Sequence, residues 1–328
     1  MKPEYLPVIV LFGPTASGKT AILEELFLKN PYCSAEIISA DSMQVYRGMD
    51  IGTAKPSLEE RTKLPHHLID IKDIREQFNS GDFVRLAVKA IHNIKKNNKL
   101  PVVSGGTGFY IKNLIMGLPA SPASDPKIRK DLKQELRQKG SGALMDELIL
   151  HDPVSAAKIH INDEYRLLRA LEVLRSSGKP LSSYSRNDNS ECSETAALRF
   201  LIFGLYHERE ALYKRINERC KAMFEKGLAQ EVRGLYECGF TPDDPGMRAI
   251  GYREFFLKNN DIEHKSDVNY LFCEDVKAAE SLISQNSRRY AKRQNVFFAS
   301  IPDTVWVDAK DIKKAAQEIK QKLDNLSL

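Results

Sequence analysis

The sequence lacks the features that would place the protein in a membrane or in an oxidising compartment. It has no apolar run long enough to span a bilayer, and its first residues show no signal-peptide pattern. Only five cysteines occur, none in a C-x-x-C pair, which argues against disulfides and against a structural zinc site. We therefore expect a cytoplasmic protein with reduced thiols.

A strong excess of one charge is also missing. The formal net charge is +5, from 49 basic and 44 acidic residues, so an RNA or phosphate partner is permitted but not demanded. With 42% hydrophobic and 28% charged residues, the composition is that of a globular protein. The length of 328 residues suits one large domain with an insertion, or two domains.

A glycine-rich segment is the most informative feature that is present. Residues 13–20 read Gly-Pro-Thr-Ala-Ser-Gly-Lys-Thr, after the apolar run 8–12 and before the helix-forming run 21–28. This is a P-loop in a strand–loop–helix context, in which backbone N–H groups and Lys19 cradle phosphates and Thr20 reaches Mg²⁺. The predicted phosphate-binding residues are Gly13, Thr15, Ala16, Ser17, Gly18, Lys19 and Thr20. The motif predicts a bound di- or triphosphate and leaves open whether it belongs to a nucleotide.

Strand and helix patterns alternate along much of the chain. Strands are predicted at 8–12, 35–41, 67–71, 101–104, 199–205 and 304–307, the last carrying Trp306 in the core. Helices are predicted at 17–28, 82–97, 109–115, 207–226, 228–238, 248–258 and 268–292. The alternation predicts an α/β fold of the P-loop NTPase-like kind, with a mostly parallel sheet flanked by helices.

The composition changes in the middle of the chain. A Pro/Ser-rich stretch at 119–126 is followed by helix-forming segments up to about residue 175 and by a polar loop at 182–195. We therefore expect a helical insertion domain at 119–198. The catalytic core would then comprise residues 1–118 and 199–328.

Two further segments follow predicted strands and could carry chemistry. Asp41 ends the second strand, at the sheet edge where the P-loop also lies. It could ligate Mg²⁺, act as a general base or accept a hydrogen bond from substrate. The turn 105–108, Gly-Gly-Thr-Gly, could meet an anion or could simply be a tight turn. Basic residues beside aromatic ones on several helices suit unstacked RNA, or else form solvated helix faces.

Taken together, the motifs resemble those of the tRNA dimethylallyltransferases, the bacterial tRNA isopentenyltransferases. The matching segments are 13–20, 39–56, 65–70, 105–111, 163–173, 248–253 (Arg-Ala-Ile-Gly-Tyr-Arg) and 290–294 (Tyr-Ala-Lys-Arg-Gln). The resemblance implies transfer of the dimethylallyl group of dimethylallyl diphosphate to N6 of the adenosine immediately 3′ of a tRNA anticodon. Diphosphate would be the leaving group, and Mg²⁺ the cofactor.

The resemblance also implies roles for individual residues. Asp41 would take the proton from N6, Arg219 would clamp the diphosphate, Thr107 would contact the reacting centre, and Thr20 would ligate the metal. The implied tRNA-binding residues are Asp41, Ser42, Met43, Gln44, Thr107, Tyr165, Arg166, Leu167, Leu168, Arg169, Arg248, Ala249, Ile250, Gly251, Tyr252, Arg253, Lys292, Arg293 and Gln294. The insertion would grip the tRNA anticodon stem-loop, and we expect a monomer that binds no membrane.

Two other functions share the P-loop. A small-metabolite or nucleoside kinase could also place an acid after its second strand, but this sequence shows no Arg-rich lid between short helices and is long for that class. An RNA-binding NTPase switch would need no base directed at an amine. Replacing Asp41 by Asn separates the predictions, since only the prenyltransferase should lose turnover while keeping both substrates bound.

Overall fold

In the computed structural model, the described residues are 6–29, 31–119, 121–184, 197–258 and 270–325. Their main feature is a six-stranded sheet in which all paired strands run parallel. Its strands, in chain order, are β1 (Leu6–Phe12), β2 (Ala35–Ser39), β3 (His66–His67), β4 (Leu100–Gly105), β5 (Leu198–Tyr206) and β8 (Val305–Asp308). Across the sheet they lie in the order β3-β2-β4-β1-β5-β8. A separate antiparallel pair joins β6 (Phe256–Lys258) to β7 (Tyr270–Phe272). The predicted α/β class with a parallel sheet is confirmed.

Eleven helices are found among the described residues. They are α1 (Lys19–Glu24), α2 (Leu58–Lys63), α3 (Ser80–Lys96), α4 (Gly108–Met116), α5 (Pro126–His151), α6 (Pro153–Ala156), α7 (Glu164–Ser177), α8 (Arg209–Glu225), α9 (Leu228–Glu237), α10 (Val276–Phe298) and α11 (Ile312–Asp324). Local sequence sets several of their starts: Asn79 and Asp82 form a capping box at α3, and Asp311 caps α11. A π-helical turn, Glu25–Lys29, extends α1.

The central strands are buried on both faces. All five residues of β2 are buried, as are Val8 to Phe12 of β1. Burial on both faces explains why residues 8–12 form a continuous rather than an alternating apolar run. In β2 the buried Glu36 is instead paired with His67 and Lys99. The core between the sheet and its helices includes Ile9, Ile37 and Phe203 from strands, with Ile22 and Ile319 from α1 and α11.

The strand register brings three turns to one edge of the sheet. Phe12 at the end of β1 lies opposite Gly105 of β4, and Ser39 of β2 lies opposite Ser104. Because the strands are parallel, the segments that follow β1, β2 and β4 all emerge on the same side. These segments are the P-loop, the Asp41 loop and the Gly105–Gly106 turn.

Four local predictions are wrong. The strand predicted at 67–71 is only His66–His67, because Leu68 and Asp70 have left-handed φ values of +63° and +58°. Residues 248–258 form short 3₁₀ turns and β6 instead of a helix, because Gly251 has a φ of +102° that a helix cannot accommodate. The helix predicted at 268–292 begins only at Val276 and continues to Phe298, after β7. Trp306 is 41% exposed rather than in the core, since β8 is the outermost strand of the sheet.

The chain divides into two compact units, one of residues 1–115 with 197–328 and one of residues 116–196. The smaller unit has its own apolar core, built around Leu132, Leu144, Leu148 and Leu171. Within it α5 is two helical segments that meet at Gly140, whose φ is +78°. Most of the polar loop predicted at 182–195 lies outside the described residues.

None of the helices in the described part of the chain combines the length and apolar character needed to cross a membrane.

Candidate active site

The glycine-rich segment forms a concave turn between β1 and α1. Gly18 has a φ of +89° and Ala16 a φ of +63°, both in the left-handed region. A Cβ at Gly13 would stand 2.6 Å from Ser17 Oγ, so this position has no room for a side chain. These conformations curl the backbone in the way that a phosphate-binding loop requires.

Lys19 carries the charge inside this turn. Its Nζ donates hydrogen bonds of 2.9 Å to the carbonyl oxygens of Gly13 and Pro14. Burial lowers the pKa of Lys19 to about 7, with the Arg219 charge adding to the effect and Asp41 opposing it. A phosphate group in the turn would restore the ammonium form, so the site favours a polyanion.

Two residues from the C-terminal half of the chain contact the backbone of this turn. Arg215 Nε on α8 donates to Ala16 O at 2.9 Å, and His207 Nε2 lies 2.9 Å from Ser17 O. Both contacts engage carbonyl groups. They stabilise the curled backbone, and no short-range sequence pattern points to either pairing.

Asp41 lies just after β2. Its Oδ1 accepts N–H groups from Met43 at 2.8 Å and from Gln44 at 3.4 Å, which forms a local turn. None of the described residues donates a hydrogen bond to Oδ2, and Asp41 lines both cavities described below. One carboxylate oxygen is thus held by the backbone while the other is available to a ligand.

Thr107 connects the turn after β4 to the loop that carries Asp41. Its Oγ1 accepts the Ser42 N–H at 3.0 Å and lies 3.3 Å from Ser42 Oγ, while its own N–H donates to Ala40 O at 3.0 Å. The structure therefore brings together Asp41 and Thr107, which the sequence separates by 66 positions.

Arg219, on α8, lines the same two cavities. Burial lowers the pKa of Arg219 and Asp41 opposes the shift, but a guanidinium stays charged in proteins. No hydrogen-bond acceptor among the described residues engages its side chain. Lys19 and Arg219 thus place two positive charges at one site beside a single carboxylate, Asp41.

Two cavities meet at these residues. The first, of about 480 Å³, is lined by the P-loop, and the second, of about 300 Å³, by apolar side chains such as Ile216 and Met223 and by Arg248. The residues that line both are Thr15, Asp41, Thr53, Arg219 and Tyr290. The site therefore has a polyanion side and a more apolar side, with Asp41 at the junction.

Tyr290, at the junction, was not predicted as a site residue. Burial raises the pKa of Tyr290 to about 12, and the nearby Asp41 charge adds to the rise. At neutral pH its hydroxyl is therefore protonated and can donate a hydrogen bond. The sequence shows Tyr290 in a Tyr-x-x-x-Gln segment, but it does not show that this residue lines the two cavities.

The loop that follows Asp41 is held by one carboxylate. Glu231 of α9 accepts the backbone N–H groups of residues 50–52 at 2.8–3.2 Å and the Tyr252 hydroxyl at 2.6 Å. The Tyr252 ring occupies the space in which a Cβ of Gly52 would stand, 2.5 Å away. Glu231 thereby joins two walls of the second cavity.

The predicted tRNA-binding residues of the larger unit have different environments. Arg253, Lys292 and Arg293 are exposed, whereas Tyr252 and Gln294 are buried. Arg248 is exposed but donates to the carbonyl groups of Pro242 and Asp243. Residues Ser42, Met43, Ala249, Ile250 and Gly251 line the second cavity, and Gln44 lines the first.

The helical unit presents an exposed aromatic side chain. Tyr165 is 72% exposed, and the Arg129 guanidinium lies 5.0 Å from its ring centroid. Glu172 holds Arg129 and Arg169 at 3.2 Å from its buried carboxylate. Arg166 is exposed, whereas Leu167 and Leu168 pack in the core of the unit.

The described residues contain no group of three His, Cys, Asp or Glu side chains that could hold a metal ion. Thr20 is exposed and lines the first cavity next to Lys19. A hard cation here would have one protein hydroxyl, with phosphate and water oxygens completing its shell, which is the usual arrangement for Mg²⁺ on phosphates. The residues present are consistent with such a site.

Comparison with known proteins identifies relatives along almost the whole chain. The sequence model of the family described as IPP transferase matches residues 44–300. A protein of Geobacter sulfurreducens named tRNA dimethylallyltransferase is 42% identical over 303 residues, which are 92% of this chain and 91% of the relative. One of Acetivibrio thermocellus with the same name is 39% identical over 315 residues, 95% of each chain.

Solved structures agree with these matches. The tRNA isopentenylpyrophosphate transferase of Bacillus halodurans aligns over 97% of this chain and 96% of its own, with 35% identity and a TM-score of 0.64. A eukaryotic dimethylallyltransferase, described as acting on tRNA, aligns over 97% of this chain and 77% of its own, with 28% identity and a TM-score of 0.74.

Proposed function

Because the chain belongs to the IPP transferase family, we infer that the junction of its two cavities is a prenyl-transfer site that acts on tRNA. The protein transfers the dimethylallyl group to N6 of the adenosine immediately 3′ of the anticodon. The observation that carries this assignment to the site is the position of Asp41, between a polyanion cradle and a second, more apolar cavity.

We propose dimethylallyl diphosphate as the donor, with its diphosphate in the first cavity. Lys19 and Arg219 supply two positive charges there, and the backbone N–H groups of the P-loop supply further donors. These groups oppose the negative charge that grows as the C1–O bond breaks. The P-loop would thus hold a leaving group rather than the end of a nucleotide.

Asp41 is the proposed general base. The N6 lone pair is delocalised into the purine ring, so the amine is a poor nucleophile until its proton is removed. As the N6–C1 bond forms, the C1–O pair leaves with diphosphate and the N6 proton passes to Asp41 Oδ2. A positioned base of this kind contributes roughly 10²–10⁴-fold to the rate.

Mg²⁺ is the proposed cofactor, held by the diphosphate and by the Thr20 hydroxyl. When bound, it would neutralise part of the leaving-group charge. Lys19 and Arg219 would neutralise the rest of that charge. The exposed Thr20 hydroxyl in the first cavity supports this assignment.

The target base must leave the stacked anticodon loop before it can reach Asp41, at a cost of a few kcal/mol. We propose that it enters through the second cavity, between the segments 42–53 and 248–253. The exposed Lys292 and Arg293 would contact phosphates. In the helical unit, Tyr165 and Arg166 offer an aromatic face and a charge for the same RNA.

We further propose that the protein works in the cytoplasm, where its tRNA substrate is made, and as a monomer.

The test is a prenylation assay. The protein is incubated with Mg²⁺, dimethylallyl diphosphate and unmodified tRNA. The tRNA is then digested, and the masses of its nucleosides are measured by mass spectrometry. An adenosine heavier by one five-carbon unit is expected with the wild type and not with Lys19→Ala. In Asp41→Asn, tRNA and donor should still bind while turnover falls by roughly 10²–10⁴-fold.

The same assay addresses the two rival functions. A kinase would transfer phosphate from ATP and leave the tRNA nucleosides unmodified. An RNA-binding switch would hydrolyse nucleotide, and Asp41→Asn would hardly change its RNA binding. Phosphate transfer from ATP or nucleotide hydrolysis, without a heavier adenosine in the tRNA, would contradict the proposed site.

A further inference from the structure

Gln294 lies inside the protein although its sequence neighbours Lys292 and Arg293 are exposed. It is 6% exposed and sits near the end of α10. Both ends of its amide are used: Oε1 accepts the Thr15 N–H at 2.9 Å, and Nε2 donates to Gly106 O at 2.7 Å. A direct contact with tRNA, as the motif resemblance implies, does not account for either bond.

The two groups that Gln294 joins belong to different turns. Thr15 is part of the P-loop after β1, and Gly106 is part of the turn after β4. The strands β1 and β4 are neighbours, with Phe12 opposite Gly105. The turns that follow them therefore begin side by side at the edge of the sheet. A Cβ at Gly106 would stand 2.7 Å from Gln294 Nε2, so glycine is needed for the side chain to fit.

Each turn holds a different part of the proposed reaction. The P-loop would hold the diphosphate, through Lys19 and the backbone. The turn after β4 carries Thr107, whose hydroxyl accepts the N–H of Ser42, next to Asp41. The separation of the two turns therefore sets the distance between the leaving group and the base.

We propose that Gln294 is a positioning residue for prenyl transfer, which fixes the P-loop against the Thr107 turn by hydrogen bonding to both. This inference rests on the proposed function of the same site. Proximity effects are steep, and a displacement of about 1 Å can cost 10²-fold in rate. An amide is suited to the task because it offers one acceptor and one donor on a single planar group.

A neighbouring residue supports this role. Tyr290 lies one helical turn before Gln294 and borders both cavities. The Gln294 amide interacts with its hydroxyl and counteracts part of the pKa rise caused by burial. Loss of the amide would then disturb the junction at Tyr290 as well as the two turns.

The experiment compares two substitutions at this position with a matched control on the same helix. Gln294→Met keeps the approximate size and removes the hydrogen bonds to Thr15 and Gly106, together with the contact to the Tyr290 hydroxyl. Gln294→Glu keeps the acceptor for Thr15 but removes the donor to Gly106 at neutral pH. The control is Gln285→Met, because Gln285 is an exposed glutamine of α10. Rates, KM values and thermal midpoints are measured for all four proteins.

We expect Gln294→Met to lower kcat by about 10- to 100-fold, with the KM for tRNA within twofold of the wild type. The kcat of Gln294→Glu should fall less than that of Gln294→Met. Its activity relative to wild type should recover as the pH falls from 8 to 6, because a carboxyl group that faces a carbonyl has a raised pKa and becomes a donor when protonated. Gln285→Met should match the wild type throughout.

Several outcomes would overturn the proposal. A kcat for Gln294→Met within twofold of the control would show that the bridge does not position the reaction. A raised KM for tRNA at unchanged kcat would make Gln294 a tRNA contact. If Gln294→Met fails to fold, the acid recovery of Gln294→Glu decides, and its absence contradicts the role. A wild type that does not prenylate tRNA would instead reject the proposed function.

Discussion

The backbone N–H of Ser42 donates a 3.0 Å hydrogen bond to Thr107 Oγ1, so the loop beside Asp41 is tied to the turn that follows a different strand. The two residues are 65 positions apart in the sequence. They meet because β2 and β4 are adjacent parallel strands whose ends coincide. The position of the proposed base therefore depends on a hydroxyl from outside its own loop.

Thr107→Val should lower kcat by about tenfold or more, because the Ser42 N–H loses its acceptor and the Asp41 loop is no longer held. Thr107→Ser retains the hydroxyl and should stay within about threefold of wild type. Single-turnover rates with saturating tRNA and donor make the comparison. Equal rates for the two variants would show that the hydroxyl does not hold the loop.

Lys19 predicts a pH dependence of diphosphate binding. Its pKa is about 7 before ligand binds, and a bound anion raises it, so binding takes up a proton above pH 7. The contribution of Lys19 to affinity is therefore present below pH 7 and declines above it, by at most about tenfold per pH unit. Calorimetry with inorganic diphosphate and Mg²⁺ at pH 7 to 9, in buffers of different ionisation enthalpy, measures both effects.

The matched variant is Lys19→Arg, whose guanidinium stays charged over this range. Diphosphate itself titrates, but it does so equally with both proteins. The difference between their slopes of diphosphate affinity against pH therefore reports the titration of Lys19. Equal slopes for the two proteins would mean that Lys19 remains protonated throughout.

Glu231→Leu should raise the KM for tRNA by about tenfold while leaving donor binding unchanged. The variant removes the acceptor for the N–H groups of residues 50–52 and for the Tyr252 hydroxyl, and so separates two walls of the second cavity. Hydrogen bonds to a charged group contribute about 1.5–3 kcal/mol each, so some loss of stability is also expected. Steady-state kinetics with each substrate varied in turn separates the two KM values.

Glu237→Gln, an exposed substitution on the same helix, serves as the control. A change in the KM for the donor but not for tRNA would contradict the assignment of the second cavity to the RNA.

Glu172→Ala should destabilise the helical unit. Its buried carboxylate accepts bonds from Arg129, Arg169, Ser124 Oγ and the Asp125 N–H. Its removal leaves the two arginines without a carboxylate partner, each with a backbone carbonyl as its remaining acceptor. Breaking a buried ion pair on one side typically costs 3–5 kcal/mol, and we expect a loss of about 3 kcal/mol. Urea denaturation measures it, with the exposed Asp131→Ala in α5 as the control.

Much of the site could be predicted because its motifs are local. The P-loop owes its shape to glycines and a lysine within eight residues, and Asp41 lies two positions after a short strand that contains Ile37 and Ile38. The parallel sheet followed from the alternation of strands and helices. The composition of residues 248–258 predicts a helix, but the left-handed backbone at Gly251 and the pairing of β6 with β7 override helix propensity.

Local sequence is enough to predict the phosphate-binding turn, the acid beside it and the class of fold, since each is visible in short segments of chain. The distant side chains that support them become visible only in the folded protein: Gln294 reaches Thr15 across 279 positions, and Arg215 reaches Ala16 across 199. Such partners leave no periodic signal, because hydrogen bonding depends on separation in space. That separation is set by how the strands are ordered in the sheet.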